Sequence, residues 1–269
     1  MELKYFQDNR QNNWQDNRQN NRQIKRSGLA VLLSAVIIIS FVIMLHATIK
    51  TAFGGHEEVP GMVMVTAGKF IFGDKDEGTE ETIDLRAFYI DKYEVTNEAY
   101  KKVAHDHKFP PDKAKHPVVN VSWHDANTYC KTLGKRLPTE EEWEKAARGT
   151  DGRLYPWGKS FDKAKANTRE GGAPPVPASH QHDHSAQKKV ETKGAAPVGS
   201  YEAGKSPYGV YDMSGNVREW TDGWYDEKKI YRAVRGGSFI DDAESVYTFT
   251  VRKSIPEDSK AYIGFRCAK

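Results

Sequence analysis

Apolar positions fall into three patterns along this chain of 269 residues, and each predicts a different element. The first is a continuous run. Residues 28–45 (GLAVLLSAVIIISFVIML) carry no charge, and residues 46–49 extend the run before Lys50. At about 1.5 Å per residue, such a run matches a bilayer core of roughly 30 Å, so residues 27–49 are expected to be a transmembrane anchor. Lys4, Arg10, Arg18, Arg22, Lys25 and Arg26 precede it, against Glu2, Asp8 and Asp16. That excess keeps the N-terminus in the cytoplasm and exports the chain beyond the run. A cleaved signal peptide is the competing reading, but the charged region is long and no small-x-small site lies just beyond the run. The expected location is a single-pass cytoplasmic-membrane protein with a periplasmic or extracellular C-terminal domain.

The second pattern is short alternation. Residues 62–65 (MVMV) and 69–72 (KFIF) read as strands separated by a turn at Gly68, and residues 83–93 continue with apolar and aromatic positions. From Tyr208 to Phe265 the chain is again strand-like. The third pattern is the capped helix. Thr96 caps a short helix to about Ala104. Ser122 with Asp125 forms a capping box for a helix to Leu133, stopped by Gly134; Thr139 with Glu142 repeats it for a helix to about Arg148, before Gly149. Short helices inside a turn-rich, aromatic-rich chain predict an α+β fold with much irregular structure.

Polar stretches set the boundaries. Residues 1–26 (including QDNRQNNWQDNRQNN) cannot bury a core and are expected to be a disordered cytoplasmic tail. Residues 50–58, with Gly54 and Gly55, form a connector to a domain at 59–269, interrupted by a low-complexity surface insertion at 169–195.

Composition narrows the function. With 40 basic and 37 acidic residues the net charge is +3, and no arginine-rich block or basic–aromatic patch supports nucleic-acid binding. A mean hydropathy of −0.73 beside 13 Tyr, 11 Phe and 6 Trp indicates a polar surface over an aromatic core, with Trp123, Trp143, Trp157, Trp220 and Trp224 expected in the core or the groove wall. His180, His182 and His184 alternate along one side of an extended loop, a set that suits Zn, Cu or Ni, or simply a solvated loop. Asp241, Asp242 and Glu244 offer three carboxylates to a hard divalent cation, or form a solvated acidic loop.

Seven phrases then occur in order: FYIDKYEVTN from Phe88, VSWHDA from Val121, GKRLPTEEEWE from Gly134, YPWG from Tyr155, YDMSGNVREW from Tyr211, RGGSF from Arg235 and GFR from Gly264. From about Pro60 to Cys267 the chain resembles the sulfatase-modifying factor family, that of the formylglycine-generating enzyme. The resemblance implies one compact α+β domain related to C-type lectins and low in regular secondary structure. The family's oxidase uses two cysteines that bind Cu(I) as soft thiolates and convert a substrate cysteine into formylglycine. One lies three residues beyond the Ser of Gly-Gly-Ser and the other five further on. Here those positions, counted from Ser238, are Asp241 and Val246. A carboxylate and an isopropyl group hold Cu(I) poorly, so neither copper nor cysteine oxidation is expected. Arg218 departs as well, standing where many relatives have Trp beside the substrate groove.

The same resemblance implies structural calcium at Asp212, Gly215, Val217 and Glu219. A second site uses Asn167 and Thr168, with an acidic partner in the insertion, where the count reaches Val190 and Glu191 or Asp183 are the nearby acids. It also matches Cys130 and Cys267 to a pair bridged in relatives, which suits an oxidising compartment; two free thiols or a weak metal site are the alternatives. The expected function is a membrane-anchored pseudoenzyme that binds a protein partner in the exported compartment. The alternative is a metal-dependent oxidoreductase, or another enzyme, rebuilt in the groove around Arg218, Ser238, Asp241, Asp242 and Glu244.

Overall fold

Two antiparallel strand pairs open the domain. β1 (Met62–Val65) pairs with β4 (Phe88–Asp91), placing Val63 opposite Ile90 and Val65 opposite Phe88. Period-two alternation sends Val65, Phe88 and Ile90 into the core. β2 (Gly68–Phe72) pairs with β3 (Glu81–Leu85) around Phe70 and Ile83. Gly68 does not make the turn expected of it: with φ +127°, open to glycine and strained for other residues, it is the first residue of β2. The computed structural model describes residues 58–171 and 194–269. The apolar run at 28–45, the polar tail and most of the insertion lie outside the described residues. No helix among the described residues is long and apolar enough to cross a membrane.

Each of the three α-helices among the described residues starts at its expected cap. α1 (Asn97–Lys101) begins where the Thr96 hydroxyl accepts from the Ala99 N–H at 3.2 Å. It ends three residues before Ala104, because the Tyr100 carbonyl accepts from both Val103 and Ala104 and tightens the chain into a turn. In α2 (Trp123–Thr132) the capping box is complete: Ser122 Oγ accepts from the Asp125 N–H and Asp125 Oδ2 from the Ser122 N–H. α3 (Glu140–Arg148) repeats the device with Thr139 and Glu142. Three glutamates in its first turn and Lys145 and Arg148 in its last also oppose the helix dipole.

The C-terminal sheet has the order β7-β6-β5-β8, from β5 (Arg218–Trp224), β6 (Arg232–Arg235), β7 (Val251–Ser254) and β8 (Ile263–Gly264), with only the β5–β8 pair parallel. One apolar core joins α1 and α2 to this sheet through Tyr100, Trp123, Tyr129, Trp220 and Phe265. A second holds Phe88, Ile90, Trp143 and Met213. Trp143 and Trp220 are fully buried, and truncating either to Ala should cost about 3–5 kcal/mol. Cys130 and Cys267 form a disulfide that pins α2 to the end of the chain. A buried ion network does the same for α3 and β6, since Arg235 contacts Glu140 and Glu144 at 2.9 and 2.7 Å and Arg148 contacts Glu144 at 2.7 Å. The result is the expected α+β architecture with little regular secondary structure.

Candidate functional site

β6 ends at Arg235, and Gly236 and Gly237 turn the chain at positive φ (86° and 66°). A Cβ at Gly237 would lie 2.5 Å from Val246 Cγ1, and one at Gly236 would lie 2.9 Å from the Trp143 ring. Only glycines let the segment 238–246 fold back this tightly. Ser238, fully buried, donates from Oγ to Asp241 Oδ2 at 2.8 Å, and its carbonyl accepts from the Asp241 N–H at 3.0 Å.

Arg218, first residue of β5, completes the arrangement. Its Nε and Nη2 donate to Asp241 Oδ2 and Oδ1 at 3.0 and 2.6 Å, and its guanidinium lies 4.9 Å from the Tyr262 ring centroid. Both carboxylate oxygens of Asp241 are thereby engaged in a fork-to-fork pair. Val246 is fully buried beneath Gly237, and its carbonyl accepts from Ser214 Oγ at 2.7 Å. At the two positions where the resemblance calls for metal-binding thiolates stand a neutralised carboxylate and a core aliphatic.

The remaining groove candidates do not join them. Asp242 accepts from the Ser245 N–H at 3.1 Å, and hydrogen bonds from Ser245 hold its carboxyl below the usual range. Glu244 is exposed at the start of a 3-10 turn, Glu244–Val246. No group of three or more His, Cys, Asp or Glu side chains among the described residues is arranged to hold a metal ion. Asp241, Asp242 and Glu244 are neighbours in sequence and face different surroundings.

Deeper in the domain lies a different set of charges. Asp212 and Glu219 are both buried. Asp212 accepts from the Gly199 N–H at 2.7 Å, and burial pushes its carboxyl up to about 6 despite that bond and the Arg266 charge. Glu219 receives Arg266 Nε and Nη2, each at 2.7 Å, and Trp143 Nε1 at 2.8 Å. Glu94 joins them, accepting from Asn216 Nδ2 at 2.6 Å and from the Val217 N–H at 3.2 Å. Burial, then the Asp212 and Glu219 charges, raise its carboxyl well above the ordinary value. Three buried carboxylates thus face one buried guanidinium, Arg266. Glu219 is already committed to Arg266 and Trp143, and these three acids are not among any group arranged to hold a metal ion.

Asn167 and Thr168 adjoin the same turn. Asn167 donates to Asn216 Oδ1 at 3.1 Å, its carbonyl accepts from the Asn216 N–H at 2.8 Å, and a Cβ at Gly215 would lie 2.4 Å from that carbonyl. The Thr168 hydroxyl is buried without a hydrogen-bond partner. Asn216 therefore links the two sets of expected calcium ligands. Asp183, Val190 and Glu191 lie outside the described residues, as do His180, His182 and His184.

Glu94, Arg266 and Tyr262 were not anticipated as site residues. The signal for Glu94 was its place in the phrase FYIDKYEVTN, and for Arg266 its place beside Cys267. The tryptophans follow the expectation of burial except at the edges: Trp224 and Trp157 are half-buried, and Trp224 with Trp123 sandwiches Arg232 at 3.6 and 3.7 Å.

A match to the sulfatase-modifying factor enzyme 1-like domain runs over residues 50–269. The chain belongs to that family. The mouse protein named inactive C-alpha-formylglycine-generating enzyme 2 is 29% identical over 80% of this chain and 87% of its own length. The formylglycine-generating enzyme of Thermomonospora curvata is 29% identical over 79% of this chain and 94% of its length. Among solved structures, PvdO from Pseudomonas aeruginosa aligns with a TM-score of 0.59 at 25% identity, over 79% of this chain and 99% of that one. The low-regularity fold described above is that of the sulfatase-modifying factor family.

Proposed function

We propose that this chain is a membrane-anchored, exported member of the sulfatase-modifying factor family that does not oxidise cysteine and acts as a binding or accessory module for a protein partner. The observation that carries the reading is the closure of Asp241 by Arg218 and Ser238, with Val246 buried next to it. Soft-metal chemistry needs open sulfur ligands, and these two positions supply none. The similarity to a mouse protein named as inactive supports the same reading. Recognition by irregular loops on a rigid scaffold survives the loss of chemistry.

Calcium is part of the proposal as a structural ion. Asp212 and the backbone carbonyls of Gly215 and Val217 are its proposed ligands, with Glu94 as an added carboxylate and Glu219 held partly by Arg266. Its role is to offset the surplus of buried negative charge, not to take part in a reaction.

The deciding experiment co-expresses the full chain with a sulfatase that carries a modifiable cysteine, with peptide mass spectrometry as the readout. Formylglycine at the level of a chain-free control is the expected result. Formylglycine above that level overturns the reading. Protease accessibility of the C-terminal domain in intact spheroplasts tests export separately.

A further inference from the structure

Four large hydrophobic side chains are exposed among the described residues, and three of them, Tyr225, Ile230 and Ile255, gather at one end of the C-terminal sheet with 44%, 50% and 40% exposure. Tyr225 and Ile230 belong to the connection between β5 and β6, where the Tyr225 N–H donates to the Tyr231 carbonyl. Arg232 pairs with Ser254, so continuing that register one step brings Tyr231 opposite Ile255. Lys253 spans the group, its Nζ lying 4.7 Å from the Tyr231 ring centroid and 5.7 Å from that of Tyr225. Two tyrosines and two isoleucines thus form a tip at this end of the sheet, Tyr231 half-buried and the other three exposed.

Exposed lysines outnumber exposed acids within the tip itself. Lys228, Lys229 and Lys253 are exposed around the tip, while Arg252, on the other face of β7, donates to Ser245 Oγ at 2.9 Å. Asp226 is turned inward, accepting from the Ile230 and Tyr231 N–H groups at 3.2 and 3.1 Å. Asp222 lies beside Arg232, and Glu257, beyond Ile255, lies beside His124. Glu227 is the one exposed acid in the tip itself.

We propose that this tip docks onto the anionic lipid surface of the membrane that carries the chain's own anchor. The inference rests on the anchored reading under Proposed function. Nine connector residues, 50–58, separate the expected anchor from the domain, a span of at most about 30 Å. Exposed aliphatics flanked by tyrosines suit the interfacial layer, and the basic side chains reach lipid phosphates while their stems cover apolar surface. A second copy is the weaker occupant, because β7 is an edge strand and exposes Arg252 and Lys253, charges that discourage strand addition.

The test uses the full chain carrying Ile230→Cys, labelled with an environment-sensitive dye and reconstituted into vesicles containing brominated lipid. Vesicles are phosphatidylcholine with or without phosphatidylglycerol. Docking predicts a blue shift and bromine quenching with phosphatidylglycerol, absent for the same dye at Leu133→Cys. Combining Lys228→Glu with Lys253→Glu should lower the docked-to-free ratio roughly tenfold or more. Equal quenching at both positions, or none at position 230, overturns the proposal. A blue shift without quenching also overturns it, since it assigns the tip to a protein or to a second copy. An alkaline carbonate wash reports the anchor independently. A released chain whose tip was quenched before the wash refutes the anchor and supports the tip; a retained chain with an unquenched tip refutes the tip alone.

Discussion

Arg218 and Asp241 form a two-point ion pair at 3.0 and 2.6 Å, and the resemblance read from the sequence expects other residues at both positions. The two residues act as one physical unit. A carboxylate in this mostly buried corner needs a cation, and a guanidinium at the first residue of β5 reaches it from across the Gly-Gly turn. Ser238, which belongs to the family phrase, is re-used as a third contact on Asp241.

Removing one partner should therefore cost more than removing both. The side chains of Arg218 and Asp241 are only 16% and 8% exposed, close to the regime in which an orphaned charge destabilises by about 3 kcal/mol. Asp241→Ala is expected to lose about 2–3 kcal/mol in urea unfolding, and Arg218→Leu with Asp241→Ala less than Asp241→Ala alone. Additive losses would mean that the pair is not coupled.

Calcium binding has a thermal signature. A ligand at about a hundredfold excess over its Kd stabilises the native state by roughly 2.7 kcal/mol, or about 5–10 °C in a domain of this size. Adding calcium to chelator-treated protein should raise the Tm by that order, and Asp212→Asn should abolish the rise. An unchanged Tm removes calcium from the account of this fold.

The parts of the fold that were legible in sequence were local. Ser122 with Asp125 and Thr139 with Glu142 are reciprocal caps whose partners lie three residues apart, so the sequence places both ends together. α1 was overextended, because its end depends on how the Tyr100 carbonyl is shared. The Gly-Gly-Ser turn was legible. The partner of Asp241 was not, because Arg218 lies 23 residues away and nothing local joins them. Glu94 is 123 residues from Val217, and its role emerges only when burial brings three carboxylates around Arg266.

Acid should weaken the packing around α1 through His107. Its Nε2 lies 2.9 Å from Asn97 Oδ1, and its ring meets the Tyr100 ring edge-on with centroids 5.0 Å apart. Burial, then the Lys101 charge, hold its pKa below the ordinary 6.5. The native state therefore resists the proton more than the unfolded chain does. The contribution is present above about pH 6.5 and is lost as pH falls below it. Comparing unfolding free energies from pH 7.5 to 5, His107→Gln should show a shallower decline than the parent. An equal or steeper decline would exclude His107 as a source.

The disulfide offers the largest single prediction. Cys130 lies in α2 and Cys267 two residues from the chain end, both fully buried, and their bridge spans 137 positions. Closing a loop of that length removes unfolded-state entropy worth about 5 kcal/mol, an upper figure because strain and residual structure reduce it. The folded ends are also held by other bonds: the Cys267 N–H donates to Asp91 Oδ2 at 2.9 Å, and Ala268 and Arg136 exchange backbone hydrogen bonds. Cys130→Ala with Cys267→Ala should therefore still fold, with a Tm lower by up to about 10–20 °C. Intact mass after alkylation in denaturant without reductant should show no label, and two labels once reductant is added. Two labels without reductant would show that the protein as isolated carries free thiols, and would leave the join between α2 and the C-terminus to hydrogen bonds and packing alone.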